Sequence, residues 1–451
     1  MNSSSDPDQR FRGMREAARA IFTTALQNAS IPSAFARHVH CNRGILRISD
    51  DLYDLNSYSR VVVVSIGKAA HTMAAALEAQ TGARLEGIVA SSVEPPNLDS
   101  GGQVRGFRYF HGGHPTPTAE SIRAAEAILK SLRALDAASL VIFMMSGGGS
   151  SIVEKPIDDE ISLADLIATY RALVHSGAPI AEINAIRKHL SAVKGGRLAQ
   201  AAYPAQQVSI LVSDVPDSTP DALASGPTMP DSTSIYDCER IAAKYDLLTQ
   251  FPPSTGDLFR QHALEETPKS DDPAFVRARW WTILSNKIAL DEAAAAAKEA
   301  GFIVEIDNSC DDWDYEKAAD HLLNRLRELR SSQSPEGKSP ICLLSGGEVT
   351  VAVRNGGIGG RNQQFALTCA GKISGENITV LSAGTDGIDG NSTAAGAVVD
   401  GSTLTRAGGT KPVYNALTGF DACPLFTQLG DAIITGPTGN NLRDLRILIA
   451  Y

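Results

Sequence analysis

No run of about 18 apolar residues occurs anywhere in the 451-residue chain, so the sequence offers no membrane-spanning helix. Positive charge is not in excess either: 41 basic residues face 51 acidic ones. A net charge of −10 argues against a general nucleic-acid binder and obliges any anion site to gather its cations locally. Cysteine is scarce and scattered (Cys41, Cys238, Cys310, Cys342, Cys369, Cys423), with no Cys-x-x-Cys pair. That fits reduced thiols better than a disulfide framework or a zinc site. The polar stretch Met1–Gly13 is unlike a secretory or organellar signal, so a cytoplasmic location is expected. Three motifs are also missing. No G-x-G-x-x-G opens a helix after the first strand, which counts against a Rossmann dehydrogenase, and there is no G-x-x-x-x-G-K-[ST] loop. No G-x-S-x-G elbow declares an acyl-transfer serine. His38, His40, His111 and His114 lack zinc-site spacing and read as structural histidines.

What the chain has instead is a series of apolar strands ending in small or charged residues. Leu140–Met145 is apolar throughout, as a strand buried on both faces would be. It runs into Ser146, Gly147, Gly148, Gly149, Ser150 and Ser151. Glycine lets backbone amides approach a ligand, and successive N–H groups make a concave anion site. A phosphate cradle is the functional reading, and a tight surface turn the plain one. Val61–Ile66 likewise ends at Gly67, followed by Lys68 and an alanine-rich helix. Lys68 therefore stands where α/β folds collect ligands, although many such lysines are merely solvated. Val208–Val212 leads to Asp214, a candidate metal ligand or base, or simply an Asx-turn residue before Pro216. Between these strands, Ala119–Leu135 and Leu163–Val174 carry helical spacing. The alternation predicts a doubly wound, mainly parallel sheet.

From Gly177 to Arg197 an apolar stripe (Ile183, Ile186, Leu190, Val193) accompanies Arg187, Lys188, Lys194 and Arg197. Spacings of seven and three put Arg187, Lys194 and Arg197 roughly on one helical face. The stretch reads either as a solvated face or as an anion-binding helix lining a cleft. Residues 230–280 look irregular and helical. Ser331–Lys338 is the best linker candidate. Beyond it, Ile341–Leu344 followed by Ser345, Gly346, Gly347 and Glu348 echoes the earlier strand-and-glycine pattern. Gly356–Gln363 reads as a flexible loop carrying Arg361, and the strand Ile378–Ala383 ends in Gly384–Gly390, which includes Asp386.

Taken in order, Gly67–Ala70, Gly113–Pro115, Ser146–Ser151, Ile183–Arg197, Ser213–Pro216, Ala224–Thr228, Ser345–Glu348, Gly359–Gln363, Gly384–Gly390, Ala394–Ala397 and Thr435–Arg446 resemble the glycerate 2-kinase family with a carboxyl-terminal MOFRL domain. The likeness runs from about residue 12 to 449, with departures at Thr393, Gln364, Asn440 and Arg443. It implies a Rossmann-like domain over 12–330 and a smaller α/β MOFRL domain over 339–449, with the active site in the cleft between them. It further implies ATP- and Mg2+-dependent phosphorylation of D-glycerate at its 2-hydroxyl, by a monomer or homodimer without nucleic-acid or membrane partners. Lys68 and Arg361 occupy the family's lysine and arginine positions. On this reading Lys68, Arg361 and Asp214 are catalytic. Ser146–Ser151, Lys194, Gly346, Gly347 and Glu348 hold the nucleotide; Asn184, Arg187 and Lys188 hold the acid; Asp214 and Asp386 hold the metal. The rivals are an NAD(P)H-dependent hydroxypyruvate reductase, a label this family has carried, a kinase of a related sugar acid, and a metabolite-sensing module without turnover.

Overall fold

Valine- and isoleucine-rich runs become the central strands in a computed structural model that describes residues 7–82, 85–94, 105–216, 218–333, 339–353 and 355–451. The chain divides into two compact units, Ala34–Ile283 and a second made of Met1–Ser33 with Leu284–Tyr451.

In the unit Ala34–Ile283, β1 (Val39–Asn42), β2 (Ile45–Ile48) and β3 (Asp51–Asp54) form a small antiparallel sheet. The main sheet contains β4 (Arg60–Ile66), β5 (Glu86–Ser91), β6 (Phe107–His111), β7 (Ser139–Met145), β8 (Gln206–Val212) and β9 (Ala278–Leu284) in the order β6-β5-β4-β7-β8-β9. All the pairs from β6 to β8 are parallel. Every residue of β7 is buried, as a strand covered on both faces requires. On one face, Ala124, Ala125, Ile128 and Leu129 of the helix Ala119–Leu132 pack against Val62, Val64 and Val141. The chain builds outward from β4 through β5 to β6, then returns to lay β7 on the other flank of β4. That reversal is a topological switch point, where ligands of open α/β sheets bind at the strand carboxyl ends. Ile66 lies opposite Met145, so the turns beginning at Gly67 and Ser146 leave the sheet side by side.

The second unit carries β10 (Ile303–Ile306), β11 (Ile341–Ser345), β12 (Ile378–Gly384), β13 (Gly396–Asp400), β14 (Ala432–Ile433) and β15 (Asp444–Ala450), in the order β10-β11-β15-β12-β13-β14. Only β10 and β11 pair in parallel; the remaining pairs are antiparallel. These units do not divide at the expected linker, of which Ser334–Lys338 lie outside the described residues. The reason is pairing: β10 before the linker hydrogen-bonds β11 after it, and Leu322, Leu323 and Leu326 of the helix Tyr315–Ser331 enter the same core. The helix Pro7–Asn28 also belongs here, burying Met14, Ala18, Ile21 and Phe22, with Arg15 paired to Asp400.

Two further expectations change. The basic stretch around Lys194 is not one helix. Ile180–His189 ends, Gly195 and Gly196 adopt left-handed φ of 56° and 85°, and a new helix starts at Arg197. Arg361 opens a helix, Arg361–Lys372, rather than sitting in a loop. Among the described residues no helix is long and apolar enough to cross a membrane, and all six cysteines are free thiols.

Candidate active site

At the switch point the two turns interlock. Lys68 N–H donates to Gly147 O at 2.9 Å, and Ala69 N–H to Ser146 Oγ at 3.1 Å. Gly148 takes a left-handed φ of 81°, the conformation that lets consecutive amides face one point. Among the described residues, none accepts a hydrogen bond from the N–H of Gly148 or Ser150. The glycines are required by crowding. A Cβ on Gly147 would collide with the Asp214 carboxylate, and one on Gly148 would lie 3.2 Å from the Lys68 side chain and 3.3 Å from His114 Nδ1. Lys68, His114, Asp214 and the Ser146–Ser151 turn therefore form one cluster. Lys68 is exposed and has no ion-pair partner among the described residues. His114, expected to be structural, lies half-exposed beside this turn, its Nδ1 3.2 Å from Ser151 Oγ. Burial, then the Lys68 charge, holds His114 below its ordinary pKa, so the neutral imidazole is favoured. Ser225 joins the rim, its Oγ 2.9 Å from Ser150 Oγ. Gly147→Ala should displace Asp214 and lower kcat about a hundredfold, the scale on which small misplacements act. Steady-state kinetics beside an unchanged far-UV circular dichroism spectrum would check this.

The basic segment is sorted differently from expectation. Lys194 is buried against Glu154, which also accepts from Tyr170 Oη at 2.5 Å and Ser191 Oγ at 2.6 Å. Lys188 is buried between Asp221 at 2.9 Å and Asp231 at 3.1 Å. Neither ammonium is available to a nucleotide or an acid, because each already neutralises buried carboxylate. Arg197 turns to the carbonyls of Glu265 and Glu266. Arg187 differs: its guanidinium lies 4.7 Å from the Tyr170 ring centroid and has no carboxylate partner among the described residues. Asn184 stands one turn before it on the same helix, at the intermediate exposure that Arg187 shares.

In the other unit Arg361 donates two bonds to Asp444, at 2.7 and 3.0 Å, and meets Glu348 at 2.9 Å. Burial alone would lower its pKa, but the bonds to Asp444 outweigh this and raise it. Arg446 is fully buried and donates to the carbonyls of Gly346 and Gly347. The expected second phosphate loop is already saturated. The N–H groups of Gly346, Gly347 and Glu348 go to Asn308, Asn286 and Asp311 at 2.9 to 3.0 Å. The echo of the first turn is thus structural, with no amide left for a nucleotide. The Asp386 carboxylate accepts from Ile388 N–H within its own turn. Three departures from the family pattern serve the scaffold: Gln364 bonds Leu417 O, Asn440 bonds Ala29 O, and Arg443 pairs with Asp311. Among the described residues no cluster of three or more His, Cys, Asp or Glu is arranged to hold a metal.

Sequence reasoning missed Asp389, whose carboxylate receives the N–H groups of Asn362 and Gln363 at the start of the Arg361 helix. Burial pushes its pKa up to about 7 against these bonds. The unfolded state then loses this proton near the ordinary carboxylate value while the folded state keeps it. This group's contribution to stability is therefore full in acid and declines as pH rises from about 4 through 7. Asp389→Asn should flatten that decline in urea titrations between pH 4 and 8.

A family model described as a domain of unknown function (DUF4147) matches residues 17–260, and the MOFRL family model matches residues 341–444. A D-glycerate 2-kinase from Thermotoga maritima is 37% identical, spanning 89% of this chain and 93% of its own. A protein from Agrobacterium vitis, provisionally named a hydroxypyruvate reductase, is 37% identical over 86% and 87% of the two chains. The crystal structure of a glycerate kinase from Thermotoga maritima superposes with a TM-score of 0.82 at 33% identity, covering 98% of this chain and all of that one (100%).

Proposed function

We propose that this chain, which belongs to the glycerate 2-kinase family, transfers the terminal phosphoryl group of ATP to the 2-hydroxyl of D-glycerate, giving ADP and 2-phosphoglycerate. The observation that carries the reading is Lys68 beside the glycine turn at the switch point, exposed and with no ion-pair partner among the described residues. Phosphoryl transfer asks little covalent chemistry of a protein; it needs alignment and neutralisation of charge on the transferred group. In this reading the amides of Gly148 and Ser150, within the Ser146–Ser151 turn, cradle phosphate oxygens, and Lys68 offsets charge as the bond to the leaving ADP oxygen breaks. Neutral His114 offers a hydrogen bond from the turn's rim.

Asp214 would hold a magnesium ion, which when bound neutralises oxygens of the β- and γ-phosphates. A single carboxylate suits an ion that otherwise takes phosphate and water oxygens. Arg187 and Asn184 are the proposed contacts for the acid. Arg361 is proposed to support turnover from its own anchored position, whereas Lys188, Lys194, Gly346, Gly347 and Glu348 are committed to the scaffold and drop out of the ligand set. The proposed setting is the cytoplasm, with the protein acting as a monomer or homodimer.

The test is a pair of assays on purified protein. ADP release with D-glycerate, ATP and magnesium supports the reading. NADH oxidation with hydroxypyruvate and no ADP release would replace it with the reductase. Binding of glycerate without either reaction would leave a sensing module. A panel of 2-hydroxy acids then ranks glycerate against longer sugar acids, since pocket shape sets that choice.

A further inference from the structure

One groove of about 280 Å3 remains unused by the cluster at the switch point. Its walls are Pro115, Thr116 and Pro117, which continue the loop of His114, and the facing helices Leu163–His175 and Ile180–His189. Basic side chains line it (Arg171, His175, Arg187) and no acid does. In a chain of net charge −10 that is a local reversal of sign. Arg187 is its least exposed cation. Its Nε is buried without a hydrogen-bond partner, and its terminal nitrogens meet no protein acceptor among the described residues.

What fixes Arg187 is the ring beneath it. Tyr170 is buried and carries the guanidinium 4.7 Å from its centroid. The phenol is pinned by its 2.5 Å bond to Glu154, itself held by Ser191 and the ammonium of Lys194. Burial, ahead of the Glu154 charge, keeps the phenol protonated well beyond its ordinary range, so it remains a donor. A planar guanidinium stacked on a locked ring offers a preorganised fork to a carboxylate, with little side-chain freedom left to lose on binding.

We infer that Tyr170 is a positioning residue, locked by the Glu154–Lys194 pair, which holds Arg187 to receive the carboxylate of a small hydroxy acid in this groove. The inference rests on the kinase reading for the identity of the acid, but not for its test. Binding of D-glycerate and of its uncharged analogue D-glyceramide is measured by calorimetry on the intact protein, without nucleotide. A charge-assisted pair contributes about 1.5–3 kcal/mol, roughly a ten- to hundredfold change in Kd. Arg187→Gln should weaken D-glycerate by about that factor and leave D-glyceramide unchanged. Tyr170→Phe, which keeps the ring and loses the bond to Glu154, should weaken the acid by about threefold to tenfold and spare both the amide and ATP.

Equal losses for acid and amide would reduce Tyr170 to a packing role and overturn the inference. So would unchanged Kd values in both variants, or an absence of glycerate binding to the wild type. A protein that binds D-glycerate through Arg187 yet releases no ADP would contradict the kinase reading alone.

Discussion

Lys68→Ala is expected to lower kcat by about a hundred- to a thousandfold, the usual loss when one donor to a developing negative charge is removed. The side chain is exposed and makes no ion pair among the described residues, so its loss leaves no buried group unsatisfied. Thermal unfolding should therefore stay within a degree or two of wild type. If Lys68 acts on charge that develops in transfer, the loss falls on kcat and on kcat/KM alike, with little change in KM for D-glycerate. An unchanged kcat would remove Lys68 from the chemistry. A rise in KM for ATP alone would make it a ground-state contact.

Lys194→Met is expected to act in the opposite manner, on folding rather than on the nucleotide. Its ammonium and Glu154 are both buried, and removing one member of a buried pair strands the other. The cost is about 3–5 kcal/mol, and the bonds from Tyr170 and Ser191 to Glu154 favour the lower end. KM for ATP should not move. Replacing both members, as Glu154→Gln with Lys194→Met, should recover most of the stability, because no charge is then left buried alone. Urea unfolding of the two variants beside the wild type measures this. A stable Lys194→Met protein with a raised KM for ATP would restore the sequence-level assignment of Lys194 to the nucleotide.

The contrast between these lysines shows what can be read from the chain. Lys68 stands next to the glycine that ends its own strand, so local order was enough to find it. The burial of Lys194 depends on Glu154, forty positions away, and on a helix break at Gly195 and Gly196 that the apolar stripe conceals. The largely buried parallel strands β4, β7 and β8 were legible because continuous apolar runs mark strands covered on both faces. Edge strands were not. Phe107–His111 and Ala278–Leu284 are half exposed and mix arginine and tryptophan with apolar residues. The helix from Arg361 was hidden because its buried first turn is polar: the N–H groups of Asn362 and Gln363 donate to the carboxylate of Asp389, far along the chain. The loop Ser345–Glu348 misled by likeness, since no local signal shows that Asn286, Asn308 and Asp311 have filled it.

The most direct test is phosphorus NMR of the product formed when the purified protein is supplied with ATP, magnesium and D-glycerate. We expect the resonance of 2-phosphoglycerate to grow in step with ADP, and to be nearly abolished by Lys68→Ala. Phosphate appearing on the 3-hydroxyl, or on no acid at all while Lys68→Ala performs as well as wild type, would contradict the account.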